Sequence, residues 1–388
     1  MVEKIGNNTL RLSGRVDSSN AAQFETELLA AAEQGDITLD AEALEYVSSA
    51  GLRVLLKLKK SLDGELSIIN VSKELYDIFD VTGFTNILNI KKALRRMSIE
   101  GLEVIGRGAT GTVYRIDSDT IIKVFNKNIG LYMIENESRK AKNAFLFGVP
   151  TAISYDMVRV GDCYGVVYEM LNARDLSDVI KNDKAHLEEH IRDFALKMKQ
   201  MHTIEVDDRF IDVKTTMLQA LGRTEGKLCT TEELKKMCAV IESVPDRSTF
   251  IHGDAHIGNV MLQNGEYMFI DLSGCGKGHP VFDMVSMCVM FRVLGRRLDE
   301  EARQKIELIR DFTPDELQRI WDTYLRTYLD TDDEAFLKKA ERQITAITCA
   351  RVFPAGVAVP GMFSDATLEF FKRTVLDYYD SGMEPVSF

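Results

Sequence analysis

Two rhythms of apolar and polar residues divide the chain near residue 97. Before that point, short apolar runs at Thr9–Leu12, Ile37–Leu39, Leu66–Ile69 and Ile87–Ile90 predict strands. Between them, Ala21–Glu33, Gly51–Leu62 and Glu74–Phe79 repeat apolar residues at helical spacing, which predicts three amphipathic helices. Strands alternating with helices in so short a stretch imply a small α/β layer domain. The basic run Lys91-Lys92-Ala93-Leu94-Arg95-Arg96 reads as a connector, either a helix or a linker. From Leu102 the pattern becomes a glycine-rich hairpin, a strand, a helix, further strands and then mostly helices. Neither part shows an internal repeat or a low-complexity segment.

At 388 residues, 45% of them hydrophobic, the chain is long enough for two or three domains with buried cores. No stretch approaches the roughly 20 apolar residues of a membrane span, and the opening MVEKIGNN lacks a signal-type apolar run. A cytoplasmic, soluble protein without a membrane partner is expected. Residues 1–97 carry 12 Lys/Arg and 14 Asp/Glu; the totals of 48 and 60 leave 36 and 46 for the remainder. So acidic a second part argues against nucleic acid as a partner. The cysteines at 163, 229, 238, 275, 288 and 349 form no CxxC or His/Cys ligand pattern and read as reduced thiols. His186 and His190 stand four apart, but Glu188 and Glu189 between them mark a solvated face rather than a metal site.

Gly35-Asp36-Ile37-Thr38-Leu39-Asp40, Tyr46-Val47-Ser48-Ser49-Ala50-Gly51-Leu52, Asn70-Val71-Ser72 and Val81-Thr82-Gly83-Phe84 resemble the STAS family, the sulfate transporter and anti-sigma-factor antagonist domains. The likeness covers residues 3–97. It implies a small sheet flanked by helices that binds protein partners. Ser49 matches the serine that is phosphorylated in antagonist members of the family, although Ser48 replaces their usual acidic residue and Ala50 a second hydroxyl. A helix start favours added negative charge, so a phosphoserine is tolerated there. Serine is equally a common helix cap, and Ser48 or Ser49 fits that role too.

The second part carries phosphate chemistry. Gly106-Arg107-Gly108-Ala109-Thr110-Gly111-Thr112-Val113 fits GxGxxGxV. A strand rather than a helix follows, so the motif reads as a kinase hairpin and not a dinucleotide fold. Lys123, in the middle of the apolar strand Thr120–Phe125, needs an anionic partner. On the helix Leu131–Phe147, Glu137 shares a face with Ile134, Ala141 and Ala144, whereas Glu135 lies with Arg139 and Lys142. Glu137 is therefore the expected partner. In His252-Gly253-Asp254-Ala255-His256-Ile257-Gly258-Asn259, Asp254 and Asn259 have the separation of a kinase catalytic loop. Asp254 is the candidate for receiving the acceptor's proton. Asn259, together with Asp271 at the end of the apolar run Tyr267–Ile270, is the candidate magnesium holder.

HGDxHxGN, then Ile270-Asp271-Leu272-Ser273-Gly274, then His279-Pro280-Val281-Phe282-Asp283 resemble the aminoglycoside phosphotransferase and choline kinase-like superfamily. The likeness runs over residues 102–388. It implies an α+β two-domain chain: a STAS domain at 1–97, then a bilobal protein-kinase-like domain with its N-lobe at 98–171 and a mainly helical C-lobe at 172–388. ATP, or another nucleoside triphosphate, and magnesium are the implied cofactors. Gly106, Gly108, Gly111, Val113, Lys123, Glu137 and the hinge residues Glu169 and Leu171 would bind the nucleotide, and Asp283 would support the loop. A small-molecule hydroxyl is the expected acceptor, with a protein partner on the STAS side. A protein kinase acting on a STAS serine and a non-catalytic nucleotide-binding scaffold are the two alternatives.

Overall fold

In the first unit the strands bury alternate apolar residues against helices, and the backbone orders them as β1 (Val2–Gly6), β2 (Thr9–Val16), α1 (Ala21–Ala31), β3 (Ile37–Val47), α2 (Ser49–Ser61), β4 (Leu66–Val71), α3 (Lys73–Val81) and β5 (Asn89–Lys92). The computed structural model describes every residue except Asn7, Ala109 and Asp299, and only the backbone of Glu301 and Ala302. The chain splits into Met1–Ser98 with Met157–Asp162, and Ile99–Asp156 with Cys163–Phe388. The first sheet runs β1-β2-β3-β4-β5, antiparallel at β1–β2 and parallel elsewhere. Leu12, Leu28, Leu39, Leu58, Ile68 and Phe79 make its core with no exposed surface.

Two expectations need correction here. The strand beginning at Ile37 does not stop at Leu39 but continues to Val47. Buried Asp40 permits this because its carboxylate accepts from Asn70 Nδ2 at 2.9 Å and from the Glu42 N–H at 3.1 Å, so a polar group inside the sheet is satisfied. The basic connector is neither helix nor free linker. Lys91 and Lys92 close β5, and Arg95–Arg96 form β6, pairing in parallel with Val158 and Arg159 within the same unit. A sheet edge offered the backbone partners that local propensity does not foresee.

The second unit begins with β7 (Glu103–Arg107), β8 (Gly111–Arg115), β9 (Thr120–Phe125), α4 (Leu131–Leu146), β10 (Ser154–Val160) and β11 (Cys163–Glu169). Within the second unit the sheet strands run β11-β9-β8-β7, while Met157–Val160 of β10 belong to the first unit. The rest is mainly helical. β12 (Arg174–Asp175), α5 (Leu176–Asn182), α6 (Leu187–Met201), α7 (Val213–Gly222) and α8 (Thr231–Glu242) precede short strands β13 (Thr249–Ile251), β14 (Val260–Gln263), β15 (Glu266–Phe269) and β16 (Gly276–Gly278). Then follow α9 (Val281–Met287), α10 (Gly295–Arg297), α11 (Glu300–Gln304), α12 (Pro314–Leu329), α13 (Glu334–Ala358) and α14 (Asp365–Asp380). Thr230 with Glu233, and Thr313 with Glu316, make reciprocal capping boxes that start α8 and α12 sharply. Phe194, Phe250, Phe282, Phe291, Trp321 and Phe371 fill the helical core without exposure. Among the described residues no helix is long and apolar enough to cross a membrane.

Candidate active site

Sheet register fixes the first group of residues. β8 and β9 pair so that Val113 lies opposite Lys123 and Gly111 opposite Phe125. A side-chain carbon on Gly111 would sit 2.3 Å from the Val124 carbonyl oxygen, so packing alone demands glycine there. Gly108 faces open space instead, and Gly106 meets only Val113 at 3.8 Å. Ala109, inside the glycine motif, lies outside the described residues. Lys123 Nζ donates to Glu137 Oε1 at 2.7 Å, with both side chains largely buried. A shielded pair of this kind holds the ammonium in place where an isolated lysine would resist burial.

At the strand that follows, the Glu169 carboxylate accepts from the Ile153 N–H at 3.2 Å, and the Glu169 N–H returns to the Ile153 carbonyl at 2.9 Å. The Met170 N–H goes to the Asp119 carbonyl. Among the described residues, no backbone acceptor takes the Leu171 N–H. Burial pushes the Tyr168 hydroxyl up, and the neighbouring carboxylates of Glu137 and Asp271 add to it. That one ring therefore feels both ends of the site.

The second group sits on the loop between β13 and β14, which has almost no secondary structure. Side chains hold its backbone. Asp283 accepts the His252 and Gly253 N–H groups, each at 2.7 Å, and His202 Nε2 donates to the same carboxylate at 3.0 Å. Burial drives the Asp283 carboxyl upward, but His202 and the backbone donors outweigh it and hold it below the ordinary range. His252 Nδ1 accepts the Asp254 N–H at 3.2 Å while its Nε2 faces the Ile270 carbonyl at 3.0 Å, so the tautomer is set. Asn259 Nδ2 donates to the Asp254 carbonyl at 2.9 Å and to its Oδ2 at 3.2 Å. Asn259 Oδ1 is thereby left facing away from Asp254. Burial holds the His256 ring below its ordinary value; its Nδ1 accepts the Gly258 N–H, and its Nε2 stands 3.7 Å from Asp254 Oδ2.

Asp271 completes the geometry. The Ile270 N–H donates to the Asn259 carbonyl at 3.0 Å, so the two residues emerge side by side. Asp271 has φ 59°, left-handed backbone that a non-glycine residue adopts at a cost of about 1 kcal/mol or more. The turn after it is held from α4, where Lys140 Nζ donates to the Ser273 carbonyl at 2.7 Å. The same helix thus carries Glu137 to Lys123 and Lys140 to the Asp271 turn. Across from it, Gly253 has φ 87° and a side-chain carbon there would meet the Gly274 oxygen at 2.1 Å. The loop and the turn touch through two glycines.

A family model described as the phosphotransferase enzyme family matches residues 101–320, more than half of the chain. The chain belongs to that family. A second model, described as Mlab, STAS domain, matches residues 2–90 of this phosphotransferase. Over 84 residues it is 39% identical to BtrV of Bordetella bronchiseptica, which bears the name of an anti-sigma factor antagonist; the match takes 20% of this chain and 72% of that one. It is 32% identical over 85 residues to the anti-sigma-B factor antagonist of Bacillus subtilis strain 168, covering 21% of this chain and 78% of that one. Among solved structures, the aminoglycoside phosphotransferase APH(2'')-Ib, ADP-bound, is 14% identical over 74% of this chain and 95% of its own, with a TM-score of 0.46. A choline/ethanolamine kinase family protein of Mesorhizobium loti is 14% identical over 72% and 87%, with a TM-score of 0.45.

Several residues of the phosphotransferase site were not read from its sequence. His202, whose Nδ1 bonds the Tyr328 hydroxyl at 2.6 Å, Lys140, and Arg351, which donates to the Gly253 carbonyl, lie far in sequence from the motifs they support. Arg351 had a readable signal, as the only charge in the run from Ile344 to Val359, the same argument that exposes Lys123. In the STAS unit, Ser48 and not Ser49 caps α2, its hydroxyl accepting the Gly51 N–H at 3.4 Å. Ser49 is left exposed as the first helical residue. His186 and His190 both turn to Asp183, at 2.8 and 3.1 Å.

Proposed function

We propose that the phosphotransferase unit moves the γ-phosphate of ATP to a hydroxyl of a small molecule, with magnesium as cofactor. The Lys123–Glu137 pair beside an Asp254–Asn259 loop and Asp271, in a chain of this family, carries the reading. Lys123 binds the α- and β-phosphates, and Glu137 keeps its ammonium oriented. Gly106, Gly108, Gly111 and Val113 let the backbone approach the nucleotide, and the Glu169 and Leu171 backbones receive the base. Among the described residues no hydrogen-bond donor is assigned to Asn259 Oδ1 or to the Asp271 carboxylate, and two such oxygen ligands suit a hard cation. Magnesium bound there supplies charge neutralisation at the β- and γ-phosphate oxygens. Asp254 orients the acceptor hydroxyl and takes its proton.

The direct test is transfer of labelled γ-phosphate to a panel of amino alcohols, sugars, amines and STAS protein. A labelled small-molecule hydroxyl supports the reading. Label on a STAS serine replaces it with protein kinase activity, and failure to bind MgATP overturns it. Asp271→Ala is expected to weaken MgATP binding about tenfold or more by calorimetry, against a change of at most a few-fold in Asp254→Ala. Equal binding in wild type and Asp271→Ala removes the metal role.

The STAS unit is proposed to dock a protein partner of the kind that anti-sigma factor antagonists bind, and to regulate through Ser49. Support comes from the division of labour at α2: Ser48 caps the helix, so the exposed Ser49 hydroxyl is not needed for it. Ser49→Asp is expected to change partner capture or acceptor turnover several-fold while the melting temperature moves by about 3 °C or less. Indistinguishable wild type, Ser49→Asp and Ser49→Ala proteins in both measurements dispose of the idea.

A further inference from the structure

Gly253 and Asp254 have four backbone polar groups between them, and none is bonded to another backbone group among the described residues. Each goes to a side chain. Gly253 N–H goes to Asp283, Asp254 N–H to His252 and Asp254 C=O to Asn259. The fourth, Gly253 C=O, accepts from Arg351 Nη2, a residue on α13 outside every motif of the site. The other arm of the same guanidinium, Nη1, donates at 2.5 Å to the carbonyl of Phe282, the residue before Asp283.

We propose that Arg351 is a positioning residue for Asp254, fixing the peptide plane that aims its carboxylate. The physical reason lies in which torsions are already determined. The Gly253 φ of 87° is held by the Asp283 bond on its N–H side and by contact with the Gly274 carbonyl. Its ψ, which rotates the Gly253–Asp254 peptide and so swings the Asp254 side chain, is held on the carbonyl side by Arg351. A planar fork with two donors at fixed spacing suits this task, because one group ties the loop and the start of α9 together. A lysine carries all its donors on one nitrogen and lacks the fixed spacing between the two guanidinium nitrogens. Among the described residues no hydrogen bond joins Arg351 to the nucleotide-binding residues or to the Asp254 side chain; it holds the loop through the Gly253 carbonyl, and its charge also faces the Asp283 and Asp254 carboxylates.

The inference rests on the catalytic role given to Asp254, but its test does not need the acceptor. Hydrogen–deuterium exchange is followed by mass spectrometry on full-length wild type, Arg351→Met and Arg351→Lys, alongside calorimetry with MgATP. Arg351→Met is expected to speed exchange in the segment 250–259 tenfold or more, with exchange in α6 and α12 within about twofold of wild type and MgATP affinity within about threefold. Arg351→Lys should lie between the two. Should the methionine protein fail to fold, the lysine protein alone decides, through faster exchange confined to 250–259. Unchanged exchange in that segment overturns the proposal. A uniform rise across the helical core also overturns it, because that is the mark of a merely structural arginine. A wrong phosphotransfer reading shows up separately, as normal transfer in Asp254→Ala with loop-selective exchange still present in Arg351→Met.

Discussion

Asp254→Ala is expected to lower phosphoryl transfer by about a thousandfold, within the range that a positioned acid–base group contributes. The variant should fold normally, because the Asp254 side chain is half exposed and the Asn259 amide keeps its bond to the Asp254 backbone carbonyl. Nucleotide affinity should stay within a few-fold, since Lys123, Glu137 and Asp271 are untouched. The loss then falls on turnover rather than on nucleotide KM, the pattern of an interaction made in the transition state. Asp254→Asn separates two accounts of the residue. A carboxylate that only orients the hydroxyl leaves substantial activity in the amide, whereas one that takes the proton leaves almost none. Near-normal turnover in Asp254→Ala with the true acceptor would falsify the catalytic-loop reading.

Gly253→Ala should be the most damaging change that removes no functional group. Its new methyl would stand 2.1 Å from the Gly274 oxygen, a distance that requires the turn after Asp271 to move. The backbone cannot relax cheaply in the other direction, because φ at 87° already costs an L-residue about 1–2 kcal/mol. Overpacking in a close-packed site adds about 1–3 kcal/mol. Together these predict a fall in melting temperature of about 5–10 °C for a unit of this size. Transfer should drop by at least about a hundredfold, because the shift reaches Asp254 on one side and Asp271 on the other. Thermal denaturation and single-turnover transfer measure the two effects. A variant with normal stability and turnover would show that Gly253 and Gly274 are not in contact.

The parts of this architecture that could be read in advance are those whose cause is local. Thr120–Phe125 and the helix from Leu131 emerge from periodicity alone, with the strand bounds matching and the helix shorter by one residue. The choice of Glu137 over Glu135 needed only the helical repeat, and the 2.7 Å pair with Lys123 accords with it. The parts that could not be read depend on distant partners. β3 continues past Leu39 because Asn70, thirty residues on, satisfies Asp40. Lys91–Lys92 become strand because β4 offers an edge. His202 and Tyr328 have no local signature of support for a loop near residue 253, and Arg351, though conspicuous as a lone charge in its run, does not show which loop it reaches. Ser48 and Ser49 were indistinguishable as caps by residue type, and only the backbone angles at Ser48, extended at φ −86° and ψ 173°, separate them.

A loop whose backbone is held in part by side chains from α9 and α13 has consequences for when it acquires its shape. A hairpin or helix closes its own hydrogen bonds as soon as a few neighbouring residues meet. In the segment from His252 to Asp254 only the Asp254 groups close locally, on His252 and Asn259, whereas both Gly253 groups wait for Asp283 and Arg351. Its anchors arrive from opposite ends of the unit, and bringing them together carries the entropic cost of long-range contact before any bond repays it. The Gly253–Asp254 peptide is therefore expected to be set late in folding. A nascent chain that has not yet released Arg351 from the ribosome holds the complete HGDAHIGN motif but lacks the donor to its Gly253 carbonyl.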